Sequence, residues 1–203
     1  ARLPRQGPQA AVQARGGGQQ QLAVQRACDQ ARGQGPVLEA GRLARLVREQ
    51  GMALDMHIPT PVCAPSRATI LSGKYAHNSG VKNNGVWTGG VWALRRNGQE
   101  GRLLPVWLQG AGYRTGLFGK YINGHDGPKV DVPQGWDRYV GYAKVTLSRT
   151  GVEAIEEDGT IHSLGGRYDT DYFAEQAVRW VETVPEPFFA MWSPMAPHGP
   201  FVP

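Results

Sequence analysis

Residues 1–58 contain no Phe, Tyr, Trp or Lys, whereas residues 59–203 hold all 18 aromatic residues (6 Trp, 7 Tyr and 5 Phe). A packed core needs large apolar side chains, so this asymmetry confines the expected core to the second segment. The full 203 residues suit one sizeable domain and are too few for two comfortable ones. Hydrophobic residues at 40% against 19% charged exclude a wholly disordered chain. No stretch approaches the ~18 consecutive apolar residues of a membrane span. Two cysteines, Cys28 and Cys63, cannot build a disulfide scaffold.

The first segment has its own chemistry. It holds ten of the fourteen Gln, and its eight Arg against four acids place +4 of the net +5 there. Residues 59–203 are nearly neutral at +1 (+5 less +4). The picture is a basic leader on a near-neutral domain rather than a basic protein surface. Stretches such as Arg15-Gly-Gly-Gly-Gln-Gln-Gln21 bury too little apolar area to offset ordering entropy. Within the leader only Leu38 to Leu54 is patterned, with Leu38, Leu43, Leu46 and Val47 on one helical face. A nucleic-acid-binding arm would lack aromatic platforms for stacking bases. A secretory signal would need an apolar run that is missing. Residues 1–58 are therefore expected to be a disordered or unrelated leader, and 59–203 the domain.

Punctuation by Gly and Pro divides that domain into helices and strands. Residues 63–72 are expected to form a helix ended by Gly73, and Leu103 to Gln109 a second with Pro105 in its first turn. Tyr113 to Tyr121 should be a strand. Residues 124–168 are Gly-rich and expected to be irregular, apart from a hairpin around Glu157-Asp-Gly-Thr160. Asp169 or Thr170 should cap an amphipathic helix whose apolar face carries Phe173, Ala177, Trp180, Val181 and Val184. Beyond the Pro185-Glu-Pro187 turn, Phe188 to Trp192 suits a buried parallel strand. Such alternation favours an open α/β sheet with helices on both faces and a site beyond the carboxyl ends of its strands.

Three clusters fall at turns or strand ends: Cys63-Ala-Pro-Ser-Arg67, Gly119-Lys120 and Ala196-Pro-His-Gly-Pro200. Cys63 stands at or before a helix N-terminus, where unpaired amides and the helix dipole favour an anion. Arg67 comes one turn later on the same face, able to clamp an oxyanion or lower a thiol pKa. Lys120 supplies a second cation and His198 a proton donor. Each has a plain structural alternative: a small buried thiol, a solvated Arg, a snorkelling Lys, a loop His. All four failing together is less in keeping with their shared place in an open sheet.

These residues carry a family resemblance. Cys63-Ala-Pro-Ser-Arg67-Ala-Thr-Ile-Leu-Ser-Gly73 resembles the first sulfatase signature. Gly112-Tyr-Arg-Thr-Gly-Leu-Phe-Gly-Lys120 resembles the second, and the stretch 187–200 is similar to a third block. Order and spacing agree over residues 59–203. Tyr75-Ala-His-Asn78, Lys82-Asn-Asn84, Gly119-Lys-Tyr-Ile-Asn123 and Val132-Pro-Gln-Gly-Trp136 look most like N-acetylglucosamine-6-sulfatases and related arylsulfatases.

The resemblance implies an alkaline-phosphatase-like, mostly parallel α/β sheet and a hydrolase of sulfate esters, on sulfated sugars of the N-acetylglucosamine-6-sulfate type or on aryl sulfates. Cys63 would be oxidised to Cα-formylglycine by a formylglycine-generating enzyme. One oxygen of its hydrate would attack sulfur and expel the alcohol or phenol, and the other would collapse to the aldehyde and eject sulfate. One Ca²⁺ would be held in part by the formylglycine at position 63. Arg67 would stabilise the hydrate, Lys120 would bind sulfate, and His198 would bind sulfate or protonate the leaving group. Asn123 is carried over as a substrate contact, while His125 reads as a loop residue. The family also implies a secreted or lysosomal setting.

The sequence also departs from that pattern. The resemblance implies a pair of Asp ligands after an apolar strand upstream of the Cys motif, and residues 1–58 offer only Asp29 and Asp55, neither in that setting. Neither is assigned to the metal. An Asp-Asn pair and a further Lys are expected downstream of the third block. The chain is thus expected to be an interior fragment or the product of an incomplete gene reading with an unrelated leader. The alternative to a sulfatase is an inactive remnant that at most binds sulfated polyanions. A phosphomonoesterase would carry Ser or Thr where Cys63 stands.

Overall fold

The computed structural model describes residues 49, 60–85, 88–125, 131–144, 154–196 and 198. The chain divides into two units, Ala1–His57 and Ile58–Pro203, and the helices and strands of the sheet domain belong to the second. Of the leader only Glu49 is described, and it is helical. The expected helix over Leu38 to Leu54 otherwise lies outside the described residues, as do Cys28, Asp29 and Asp55.

The first strand is β1, Arg114–Gly119, buried along its whole length after Arg114. Its neighbours are β2, Arg138–Lys144, and β5, Phe188–Ser193, both parallel to it. Beyond β2 come β3, Ala154–Glu157, and β4, Thr160–Ser163, paired antiparallel in the order β4-β3-β2-β1-β5. The sheet is therefore open and mixed, parallel where β1 meets its neighbours. The β3–β4 hairpin turns at Asp158 and Gly159, with φ of 45° and 90°. Two successive positive φ angles match the twist of a tight hairpin, which is why Asp-Gly stands there.

Two expectations need correction. Residues 138–144, expected to be irregular, form β2, the middle strand of the sheet. Gly141 in mid-strand and apolar side chains on both faces hide the alternation that marks a strand. Phe188 to Trp192 is a parallel strand as expected, but not a buried one. It is the edge strand of the described sheet, with Ala190 exposed and Trp192 47% exposed.

Helices cover both faces of the sheet. The first is α1, Cys63–Ser72, which ends where Gly73 (φ 65°) donates its N–H to Thr69 O at 2.9 Å. The short α2, Ala76–Ser79, and α3, Gly90–Arg96, come next, then α4, Leu104–Gly110, with Pro105 in its first turn. Ala64, Ala68 and Leu71 of α1, and Val91, Ala93 and Leu94 of α3, pack with Leu117 and Tyr139 on one face. Phe118, Val140, Tyr142 and Ile155 point to the other, where they meet Phe173 of α5, Asp169–Thr183. This is the period-two alternation of strands buried on both sides. Neither Asp169 nor Thr170 caps α5: its N-cap is Tyr168, without a side-chain hydrogen bond.

Candidate active site

Helix α1 begins with Val62 in extended conformation (φ −131°) as its N-cap. Pro65, in the first turn, carries no N–H, which removes one of the orphan donors of a helix start. Ala64 N donates to Asn84 Oδ1 at 2.9 Å, so a side chain twenty residues on supplies the missing cap. Cys63 is a free, half-buried thiol at the first helical position. The sequence pattern located this helix start, but it gave no sign of the partner at Asn84.

Arg67, one turn further, reaches from α1 to the carboxyl ends of β1 and β5. Its Nη1 donates to Lys120 O at 2.6 Å and to Ser193 Oγ at 2.5 Å. Lys120 N in turn donates to Ser193 O at 2.7 Å. The strands come this close because Gly119 has φ 115° and no side chain: a Cβ there would lie 2.2 Å from Ser193 O. Burial lowers the pKa of the Arg67 guanidinium, with nearby Cys63 and Tyr142 acting the other way. Arg remains a cation regardless, since its ordinary pKa is so high.

The turn after β5 is tied into the same region. Met195 N donates to Tyr142 Oη at 3.0 Å, and the Tyr142 hydroxyl donates to Asp169 Oδ2 at 2.5 Å. His198 N then donates to Met195 O at 2.9 Å, with the His198 side chain exposed. Burial first, and then the hydrogen bond to Asp169, push the Tyr142 phenol well above its ordinary pKa.

Of the expected site residues, Arg67 touches the backbone of Lys120 directly, Cys63 lies one turn before Arg67 on α1, and His198 stands in the turn after β5, its N–H bonded to Met195 O. Asn123 lies in the loop after Lys120. Its backbone O accepts from Val91 N at 2.9 Å, and its Oδ1 is buried with no hydrogen-bond partner among the described residues. His125 lies in that loop but is not a solvent residue. It is buried 3.7 Å from Glu156 Oε2 and edge-on to the rings of Tyr121 and Tyr139. Ser193 and Tyr142 escape a reading of the sequence because a hydroxyl in a strand has no local signature.

A calcium ion takes six to eight oxygen ligands, several of them carboxylates. Among the described residues no group of three or more His, Cys, Asp or Glu lies together as a metal site would require. The donors among the described residues do not by themselves make a Ca²⁺ site.

Comparison with known proteins decides the family. The sulfatase family model matches residues 31–203. The chain belongs to the sulfatase family. The match begins ahead of residue 58, the boundary set from composition, and takes in the Leu38 to Leu54 stretch. An N-acetylglucosamine-6-sulfatase of Capra hircus is 33% identical over 171 residues, covering 77% of this chain and 30% of that protein. An arylsulfatase of Volvox carteri is 32% identical over 163 residues, covering 77% of this chain and 25% of its own length. An extracellular sulfatase SULF-1 homolog of Drosophila melanogaster is 31% identical over 170 residues, covering 78% of this chain and 15% of its own. The chain thus spans less than a third of these relatives' lengths.

A solved structure of a protein in complex with its substrate D-glucosamine-2-N,6-O-disulfate superposes with a TM-score of 0.53 at 28% identity, over 68% of this sulfatase chain and 25% of that one. A second, concerned with glycosaminoglycan metabolism by Bacteroides thetaiotaomicron, matches with a TM-score of 0.50 at 18% identity, over 69% of this chain and 33% of that one. The fold is the alkaline-phosphatase-like α/β sheet expected from the sequence.

Proposed function

We propose that Cys63, Arg67, Lys120 and His198 form the working part of a sulfuric ester hydrolase whose nucleophile is formylglycine made from Cys63. The observation that carries this reading is the contact of Arg67 with Lys120 O and Ser193 Oγ. It joins the Cys-x-Pro-Ser-Arg helix to the Gly-Lys strand end, the two elements the resemblance pairs. The formylglycine hydrate supplies an oxygen nucleophile and a second hydroxyl through which sulfate can later be released.

The chain's own residues do the rest. The Arg67 guanidinium bonds neutral acceptors, so its charge stays available to an anion beside Cys63. Lys120 adds a second positive charge at the strand end. His198 gives a proton to the oxygen that leaves sulfur, which matters most when that oxygen belongs to a sugar alcohol. Asn123 is the proposed contact to the sugar or aryl portion. Any calcium would need carboxylates from outside the described residues.

The proposed substrates are sulfated sugars of the N-acetylglucosamine-6-sulfate type or aryl sulfates. In support, relatives named for both activities align over more than three quarters of the chain. A secreted or lysosomal setting is part of the same proposal, supported by relatives named as extracellular sulfatases. The partner that oxidises Cys63 would read Cys63, Pro65 and Arg67 before folding, since Pro65 is buried and Arg67 is engaged in the folded chain.

The test is the mass of the peptide containing Cys63, from protein made beside an active formylglycine-generating enzyme. It should weigh ~18 Da less than the thiol form, and Cys63→Ala should abolish sulfate release without unfolding the domain. An active protein carrying only the unmodified thiol rules the mechanism out. Binding of a sulfated polyanion with no hydrolysis would favour the inactive remnant instead.

A further inference from the structure

We propose that Tyr142 and Asp169 are positioning residues, a buried latch that holds the turn bearing His198 beside the Arg67 end of the sheet. The inference rests on the reading of His198 as the proton donor. Tyr142 projects from β2 onto the α5 face, 4% exposed, where its ring meets Phe173 edge-on at 4.8 Å between centroids. Its hydroxyl does two things at once: it donates to Asp169 Oδ2 at 2.5 Å and accepts from Met195 N at 3.0 Å. Met195 O then accepts from His198 N at 2.9 Å, closing the turn on the residue that matters.

Asp169 stands in the first turn of α5, where a carboxylate favours the helix dipole. It makes no capping hydrogen bond there; its oxygen serves the phenol instead. The carboxylate orients the phenol proton towards α5, which leaves a lone pair facing Met195 N. The chain Asp169–Tyr142–Met195–His198 thus fixes the turn from the interior of the sheet. Tyr142 also lies close enough to Arg67 for each to influence the other's charge, so the latch and the cation share one neighbourhood.

Tyr142→Phe keeps the ring and its packing on Phe173 while deleting the hydroxyl. In the full chain, amide hydrogen exchange at Met195 and His198 should accelerate about tenfold, the size of one ordinary hydrogen bond, with α1 unaffected. Asp169→Ala should do the same, and Asp169→Asn, which keeps an acceptor for the phenol, should recover most of that loss. Unchanged exchange at both amides overturns the latch.

Activity supplies the second readout. In Tyr142→Phe, kcat on N-acetylglucosamine 6-sulfate should fall about tenfold with KM unchanged. The loss on 4-nitrophenyl sulfate should be smaller, because nitrophenolate leaves without a proton. The double variant with His198→Ala should be no slower than His198→Ala alone. Equal losses on both substrates, or additive ones, overturn the positioning role. Wild-type protein that releases no sulfate would defeat the hydrolase reading, while the exchange measurement still decides the latch.

Discussion

The two ends of the parallel strands are held by different chemistry. At the amino ends, carboxylates accept from backbone amides and pair with an arginine. Asp137 Oδ2 accepts from Thr115 N at 2.9 Å and lies 3.2 Å from Thr115 Oγ1. Asp158 Oδ1 accepts from Tyr139 N at 2.7 Å, and Arg138 pairs with both Asp158 and Glu157. At the carboxyl ends, Arg67 meets only a backbone carbonyl and a hydroxyl, and no ion pair of Arg67 is found among the described residues. A guanidinium neutralised by a carboxylate has little field left for a ligand. One solvated by neutral acceptors keeps it. One end is held by carboxylates, and on the proposed function the other presents its cation to an anion.

The largest expected effect comes from breaking the carboxyl end. Arg67→Lys retains the charge but loses the planar fork that reaches Lys120 O and Ser193 Oγ together. Sulfate release should fall by about 10²–10³ in kcat/KM, the range for removing a positioned donor to a developing anion. The melting temperature should move little, because neither acceptor is a buried charge. Activity within a few-fold of wild type would show that this end does not work as the comparison claims.

The converse substitution lies at the amino end. Asp137→Ala strips the acceptor from Thr115 N on a fully buried residue, at a cost of about 2 kcal/mol in unfolding free energy. Asp137→Asn should restore roughly half of it, since an amide oxygen still accepts. Activity per folded molecule should stay within about twofold of wild type. A denaturant melt and a sulfate assay on the same preparations separate the two outcomes. A large loss of activity in fully folded Asp137→Ala would erase the division between the ends.

The elements best marked by Gly and Pro were legible in the sequence. Helix α1 spans the expected 63–72, because Pro61 and Gly73 bracket it. The Asp158–Gly159 hairpin and α5 were legible for similar local reasons. Strand β2 was not, since Gly141 interrupts it and its burial on both faces depends on neighbours distant in sequence. The family match reaching back to residue 31 was hidden by a lack of aromatics, which makes a helix-patterned stretch resemble the polar leader beside it. At the proposed site the cations and the thiol could be picked out by type. What holds them could not: Arg67 and Ser193 are 126 residues apart in sequence, and Tyr142 and Met195 are 53 apart. Such pairings are decided by sheet register, on which local patterning is silent.

The smallest expected effect concerns Glu156, a carboxylate that belongs to neither end. It lies in β3 opposite Gly141 in the middle of β2, with its side chain 3% exposed and Oε2 3.7 Å from His125 Nε2. Burial, reinforced by the negative charges of Asp131 and Asp158, raises its pKa above the ordinary glutamate value. The folded state therefore holds this proton more tightly than the unfolded chain does. Stability from Glu156 is fully present below the unfolded pKa of about 4.3 and declines as pH rises through the raised folded value, then levels off. Glu156→Gln removes the titration and keeps the shape. The difference in stability between wild type and Glu156→Gln, measured by denaturant melts, cancels the other groups they share. It should fall with rising pH across that window, by a fraction of what Asp137→Ala costs. A difference that rises with pH would mean Glu156 is held as a stabilised anion, and that carboxylates are favoured in the middle of the sheet as well as at its amino end.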